Sequence, residues 1–98
     1  MGQIENVTFV LIARNEAYGV EKALNALEIL DFKSCEVICV DSGSSDGTLN
    51  VMSKFKRRIP HLQIVSIKGY SNAAIARNVG LARAKQEFIF FLLMGMSK

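Results

Sequence analysis

One carboxylate and the small polar residues after it are the strongest candidates for chemistry in this chain. Asp41 follows residues 37–40, a run of apolar and mostly β-branched side chains, and a loop of serine, glycine and aspartate continues to Thr48. Such a run predicts a buried strand that ends at the carboxylate. Because open α/β sheets bind ligands in the crevice outside the carboxyl ends of their strands, Asp41 is predicted to face a ligand.

A basic residue further along the chain offers complementary chemistry. Arg77 falls in a segment rich in small residues that is predicted to be helical. A carboxylate such as Asp41 accepts hydrogen bonds from a pyrimidine or guanine N–H or from ribose hydroxyls, and an arginine neutralises a diphosphate. Together they predict a nucleoside diphosphate ligand. The alternative is structural: Asp41 and Ser44 only close a loop and cap a helix, and Arg77 lies on an exposed face.

Hydrophobic patterns predict the elements that position these residues. Nearly continuous apolar runs predict strands over residues 7–13, 36–40 and 88–93, and an alternating run predicts a more exposed strand over residues 62–67. Apolar side chains at helical spacing predict two helices between the first three strands. The first helix is marked by Val20, Leu24, Leu27 and Leu30, and the second by Leu49, Met52, Phe55 and Ile59.

Capping residues and small residues set the predicted helix limits. Ser45 or Asp46 is the natural N-cap of the second helix, and Pro60 is predicted to end it. A third helix is predicted over residues 73–85, where small side chains, including Gly80, allow close approach to a sheet or a ligand.

The alternation of strands and helices predicts the topology. An order βαβαβαβ with helical crossovers requires a parallel sheet, and right-handed crossovers give the strand order 3-2-1-4. The fold class is therefore α/β, an open parallel sheet of about four strands with helices on both faces, a Rossmann-like half-domain. Residues 13–16, 41–43 and 93–96 would then line one crevice.

Composition narrows the class of partner. The chain has 98 residues, enough for one domain, and its 50% hydrophobic and 21% charged residues are typical of a globular protein. The net charge of +3 comes partly from a basic cluster near a predicted helix end, where cations complement the helix dipole. The cluster comprises Lys54, Lys56, Arg57 and Arg58. Its only aromatic residue is Phe55, at a spacing typical of a core position, so no nucleic-acid partner is predicted.

The cysteines and apolar runs predict the compartment. Cys35 and Cys39 are four residues apart on one predicted strand, too far apart for a disulfide, and His61 is the only histidine, so no zinc site is predicted. Buried, reduced cysteines predict a cytoplasmic protein. No signal peptide is predicted, because the first apolar run, residues 7–13, lacks a basic leader. No transmembrane segment is predicted, because the apolar run at residues 88–96 is too short to span a bilayer.

A dinucleotide-dependent oxidoreductase is an alternative that the first turn disfavours. Such a site needs glycines directly after the first strand, so that the backbone can approach a pyrophosphate. The turn here begins Arg14-Asn15-Glu16 and has no Gly-x-Gly-x-x-Gly pattern, and the chain has no P-loop.

Four motifs, in order and spanning nearly the whole chain, resemble one known family. They are FVLIARNE at residues 9–16, VDSGSSDGT at 40–48, AIARNVG at 74–80 and EFIFFL at 87–92. Together they closely resemble the amino-terminal part of family-2 glycosyltransferases of the GT-A fold.

The resemblance implies a nucleotide-sugar-binding half-domain over residues 1–98. It implies that Ala13, Arg14, Glu16 and Asp41 hold the base and ribose, and Arg77 matches the family's Ala-Arg-Asn segment. The implied donor is a UDP-, GDP- or dTDP-linked sugar with Mg²⁺ or Mn²⁺, and the acceptor a saccharide or lipid. A full-length parent would be peripheral at the inner membrane face.

The chain departs from the family where a metal-binding Asp-x-Asp motif should follow the fourth strand. Met94 and Met96 occupy the expected positions, and methionine is a poor ligand for Mg²⁺ or Mn²⁺. We therefore expect no bound metal, no catalytic residue and no sugar transfer by the isolated chain. One hypothesis is a frameshift. If GAT-GGG-GAT stands before a codon that starts with G, loss of its leading G gives ATG-GGG-ATG, which encodes Met-Gly-Met, and the chain would then be a truncated product. Unrelated divergence is the alternative.

The alternative function is a non-catalytic binding or self-assembling module. Residues 88–93 are apolar and would form an edge strand, which is a template for pairing with another chain. A homo-oligomer through this strand is predicted.

Overall fold

The fold alternates strands and helices along the chain. A computed structural model describes residues 4–29, 32–69 and 72–95, so the predicted roles of Leu30 and Met96 lie outside the described residues. The elements are β1 (Ile4–Ala13), α1 (Ala17–Ile29), β2 (Phe32–Ser42), α2 (Thr48–Phe55), β3 (Leu62–Ile67), α3 (Ala73–Arg83) and β4 (Phe88–Met94).

The four strands form one parallel sheet in the order β3-β2-β1-β4. This confirms the predicted topology, and it makes β1 and β2 the inner strands and β3 and β4 the edges. The register pairs Ala13 of β1 with Asp41 of β2 and with Met94 of β4. Three strands therefore end at about the same level, and their carboxyl ends lie side by side.

Helices cover both faces of the sheet, as predicted. On one face α1 and α2 pack through Leu24, Met52 and Phe55 onto the odd-numbered side chains of the inner strands, such as Leu11 and Cys39. On the other face α3 packs on the even-numbered side chains. This second cluster consists of Val10, Ile12, Ile38, Val40 and Ala76.

The predicted helix limits need three corrections. Helix α2 ends at Phe55 rather than at Pro60, because Arg58 N and Ile59 N both donate to Phe55 O and continue the chain as a turn. Helix α3 ends at Arg83, where Ala84 takes an extended conformation. The N-cap of α2 is Gly47, without a side-chain cap.

The strands β1 and β2 are longer than predicted at their amino-terminal ends. Their first residues include Glu5 and Lys33, which pair through the backbone and break the apolar pattern. Strand β3 has the predicted bounds and lies at an edge, as expected from its alternating pattern.

The cysteines lie within the core, and the helices are short. Cys35 and Cys39 are both buried, and burial raises the pKa of the Cys39 thiol to about 12. Among the described residues no helix has the length and hydrophobicity to cross a membrane. The cytoplasmic location, and the peripheral membrane position of a parent protein, stay predictions.

Gly80 sets how closely α3 approaches the sheet. A Cβ at this position would lie 2.4 Å from Cγ1 of the fully buried Val10. Gly80→Ala is therefore expected to lower the free energy of unfolding by about 1–2 kcal/mol, because overpacking outweighs the gain in helix propensity. Urea denaturation followed by circular dichroism measures the change.

Gly47→Ala is the matched control, because a Cβ there meets nothing within 4 Å and the φ angle is −84°. Its effect is expected to stay within about 1 kcal/mol. A Gly80→Ala variant as stable as the wild type would contradict the close approach of α3.

Candidate functional site

Asp41 lies at the carboxyl end of β2 with its side chain almost fully buried. Only 3% of the residue is exposed, and Oδ1 is enclosed without a hydrogen-bond partner. Ser42 Oγ, at the next residue, is also buried and without a partner. Burying a carboxylate oxygen in this way costs free energy unless a donor reaches it. The end of β2 thus offers a hydrogen-bond acceptor that the described residues leave unused.

The turn after β1 forms the second wall of the crevice. Ala13 is fully buried opposite Asp41, Arg14 is half-buried and Glu16 is exposed. Arg14 N donates to Met94 O at 3.0 Å, which ties this turn to the end of β4. Glu16 O accepts from Val20 N at 2.9 Å at the start of α1. The three residues predicted from this turn, Ala13, Arg14 and Glu16, thus lie at the carboxyl ends of the strands, as Asp41 does.

Asn15 connects the turn to the loop after β2, and the sequence prediction missed this role. Its Oδ1 accepts hydrogen bonds from Ser45 N at 2.7 Å and Asp46 N at 3.2 Å, and Ser45 Oγ lies at 3.4 Å. The Asn15 N–H donates to Ser44 Oγ at 2.9 Å. The only local signal is the residue type, because asparagine tolerates the left-handed backbone that Asn15 adopts, with φ of 52°.

Asp46 and Thr48 close the same loop. Thr48 N donates to Asp46 Oδ1 at 2.9 Å, and the Thr48 hydroxyl donates to the same oxygen. The hydrogen bond from the Thr48 side chain, followed by that from its backbone, lowers the pKa of the Asp46 carboxyl. Thr48 Oγ1 also accepts from Glu16 N at 3.0 Å. The loop is therefore held by Asn15, Asp46 and Thr48.

Two glycines allow the chain to pass close to this site. Gly43 has φ of 73°, and a Cβ there would lie 2.8 Å from Gly69 O. Gly95 has φ of 75°, and a Cβ there would lie 2.1 Å from Arg14 O. Both positions require a backbone conformation that favours glycine, and neither has room for a side chain.

Arg77 lies on the other side of the sheet from the Asp41 carboxylate. It is exposed on α3, and its guanidinium lies 5.7 Å from the centre of the Phe91 ring. Phe91 belongs to the face that α3 covers, whereas Asp41 continues the alternation of Val37 and Cys39 on the face of α1 and α2. A ligand that touches both residues would have to extend past the carboxyl ends of the strands, from one face of the sheet to the other.

The predicted metal position holds a thioether. Met94 is half-buried against the core between the sheet and the helices α1 and α2. Its Sδ and Glu16 Oε1 lie 3.6 and 3.3 Å from the point where a Cβ on Gly19 would stand. Within residues 4–29, 32–69 and 72–95 no three His, Cys, Asp or Glu side chains are grouped to hold a metal. This donor set does not fit Mg²⁺ or Mn²⁺, which need oxygen ligands.

The sheet order and its covering helices define the GT-A fold class, as comparison with solved structures shows. Residues 1–349 of Staphylococcus aureus TarS, in complex with UDP, match with a TM-score of 0.83 at 27% identity, over 92% of this chain and 27% of that one. Glucosyl-3-phosphoglycerate synthase from Mycobacterium tuberculosis, solved with Mn²⁺, UDP and glucosyl-3-phosphoglycerate, matches with a TM-score of 0.72 over 91% of this chain and 33% of that one. Its 22% identity limits the likeness to the fold.

The chain belongs to the family described as Glycosyl transferase family 2, whose sequence model matches residues 8–92. The poly-β-1,6-N-acetyl-D-glucosamine synthase of Staphylococcus epidermidis is 29% identical over 90 residues, which are 92% of this chain and 22% of that protein. Glycosyltransferase AglE of Haloferax volcanii is 30% identical over 88 residues, which are 88% of this chain and 29% of that protein. The chain therefore spans less than a third of these relatives.

Proposed function

We propose that residues 1–98 are the donor-nucleotide-binding half-domain of a glycosyltransferase, which binds a uridine diphosphate sugar between the ends of β1, β2 and β4. The observation that carries this proposal is the buried Asp41 carboxylate with an oxygen that lacks a donor. In the proposed complex a base N–H or a ribose hydroxyl donates to Asp41. Ala13, Arg14 and Glu16 form the facing wall.

The choice of nucleotide is supported by TarS, which was solved with UDP and matches 92% of this chain at 27% identity. A GDP-linked donor is the alternative that Asp41 would also accept chemically. Arg14 carries a positive charge in the turn after β1, and we propose that it faces the diphosphate. Arg77 would contribute from the α3 side only if the ligand extends over the sheet edge. The sugar acceptor of the whole protein is proposed to be a saccharide or a lipid.

Replacing Asp41 by asparagine separates binding from stability. Asp41→Asn is expected to weaken UDP binding about 10- to 100-fold, because it removes a charged acceptor. The free energy of unfolding without ligand should be unchanged or higher, since the variant no longer buries an unpartnered carboxylate. Calorimetric titration with UDP and urea denaturation measure the two quantities.

Glu87→Gln provides the matched control, because Glu87 is an exposed acid just before β4, at the amino-terminal end of that strand and away from the crevice. It should bind UDP as the wild type does. Wild-type affinity in Asp41→Asn would overturn the role of Asp41, and tighter binding of GDP than of UDP would overturn the choice of base.

We further propose that nucleotide binding by this chain is independent of metal, because Met94 replaces a carboxylate at the expected position. UDP affinity is expected to change by less than about twofold when Mn²⁺ is added. Met94→Asp would place an oxygen ligand near Glu16 and should make UDP binding depend on Mn²⁺, whereas Met94→Asn should not. Calorimetry with UDP, and the electron paramagnetic resonance spectrum of Mn²⁺, test these expectations.

A clear gain in UDP affinity with Mn²⁺ in the wild type would contradict metal independence. The proposed lack of sugar transfer by the 98-residue chain rests on the same missing carboxylate. Hydrolysis or transfer of a UDP-sugar by this chain alone would disprove it.

A non-catalytic, self-assembling module is the second candidate, and one observation favours it. Strand β4 is an edge of the sheet, and Phe88 and Phe90 are each 55% exposed, while Leu93 is 41% exposed. An edge strand with apolar side chains can pair with the same strand of a second copy. We propose that such pairing produces a homo-oligomer.

Introducing charge on β4 tests this assembly. The double substitution Phe88→Lys with Phe90→Lys should give a monomer at concentrations where the wild type associates, because like charges would face each other across the pair. Leu81→Lys on α3 is the control, because Leu81 is an exposed apolar residue of a helix, at 47%. Sedimentation velocity over a range of concentrations measures the mass, and a monomeric wild type at every concentration would refute the assembly.

A further inference from the structure

Asn15 contacts the loop after β2 rather than the open crevice. Three donors surround its Oδ1: Ser45 N at 2.7 Å, Asp46 N at 3.2 Å and Ser45 Oγ at 3.4 Å. An amide oxygen has two lone pairs, so this atom has no capacity left for a ligand. Any effect of Asn15 Oδ1 on a ligand must therefore act through the loop that donates to it.

The backbone conformation of Asn15 also favours asparagine at this position. Its φ of 52° lies in the left-handed region, which asparagine tolerates better than most residues. This conformation lets the side chain accept from the loop while the Asn15 N–H donates to Ser44 Oγ at 2.9 Å. The turn after β1 and the loop after β2 are thereby joined from both the backbone and the side chain of one residue.

The joined segments carry the two walls of the proposed nucleotide site. Arg14 and Glu16 flank Asn15 in sequence, and Asp41 lies at the base of the loop to which Asn15 is bonded. The next tie is Glu16 N to Thr48 Oγ1 at 3.0 Å, at the start of α2. Between Ser42 and Thr48 the loop contains two glycines, Gly43 and Gly47, whose backbone is not held by side chains of their own.

We propose that Asn15 is a positioning residue, which keeps the β1 turn and the β2 loop at a fixed separation before the nucleotide arrives. This inference rests on the proposed function, since the separation matters only if a ligand spans both walls. A site that is already ordered binds more tightly, because binding then loses less conformational entropy. Without the Asn15 contacts, the nucleotide itself would have to order the loop.

The test uses three substitutions in the full chain. Asn15→Gly keeps the left-handed backbone and removes the side-chain acceptor. Asn15→Asp keeps both the backbone preference and an acceptor oxygen. Asn6→Gly is the matched control, because Asn6 has a left-handed φ of 59° in β1 near its other end, away from the crevice.

Two measurements apply to these variants. Amide hydrogen exchange of Ser45 and Asp46 without ligand reports the hydrogen bonds directly. It should be faster in Asn15→Gly, and it should match the wild type in Asn15→Asp and in Asn6→Gly. Calorimetric titration with UDP should show affinity reduced about tenfold in Asn15→Gly and unchanged in Asn6→Gly, since two lost hydrogen bonds correspond to that order of change.

Each outcome decides one question. Unchanged exchange in Asn15→Gly would overturn the link between the two segments. Faster exchange with wild-type UDP affinity would overturn the positioning role and leave a purely structural one. A wild-type chain that does not bind UDP would instead reject the proposed function, and it would reject the positioning role with it, while the exchange data would still establish or exclude the link.

Discussion

The parallel pairing of β1 with both β2 and β4 is the constraint on which the rest of the structure depends. Because β1 lies between them in register, Ala13, Asp41 and Met94 lie at one level, at or next to the last residue of their strands. The chain must leave the sheet at that level three times, and each exit adds polar backbone and side-chain groups to the same edge. The crevice is thus a consequence of strand order, and its chemistry depends on which side chain ends each strand.

Strand β2 carries two buried carboxylates whose surroundings differ. Glu36, near the amino-terminal edge, accepts through Oε1 from the Thr8 hydroxyl at 2.6 Å and from Lys85 N at 2.5 Å. Asp41, at the other edge, has an enclosed oxygen with no donor. At the amino-terminal end of the strands, the buried Glu36 carboxylate is therefore satisfied within the protein, and it holds the segment that leads into β4. At the carboxyl end of the strands a buried oxygen has no donor, and in the proposed complex the ligand supplies one.

Sequence patterns predicted the architecture well because strand order and helix faces follow from hydrophobic periodicity. The bounds of β3 and the buried faces of α1 and α2 emerged from that periodicity alone. The early end of α2 did not, because Pro60 only excludes a helix beyond it and says nothing about a turn that forms sooner. The Asn15 contacts were also out of reach, since they join residues about 30 positions apart whose meeting depends on the finished sheet.

The close contact of Gly80 with Val10 also governs the height of α3 above the sheet. Arg77 is three residues earlier on the same helix, so a change in the distance between Gly80 and the sheet also changes the distance between Arg77 and the sheet. The side-chain volumes at positions 80 and 10 should therefore change together during evolution. A bulkier residue in place of Gly80 would need a smaller one in place of Val10, and an exchange without that compensation would move the arginine as well as the helix.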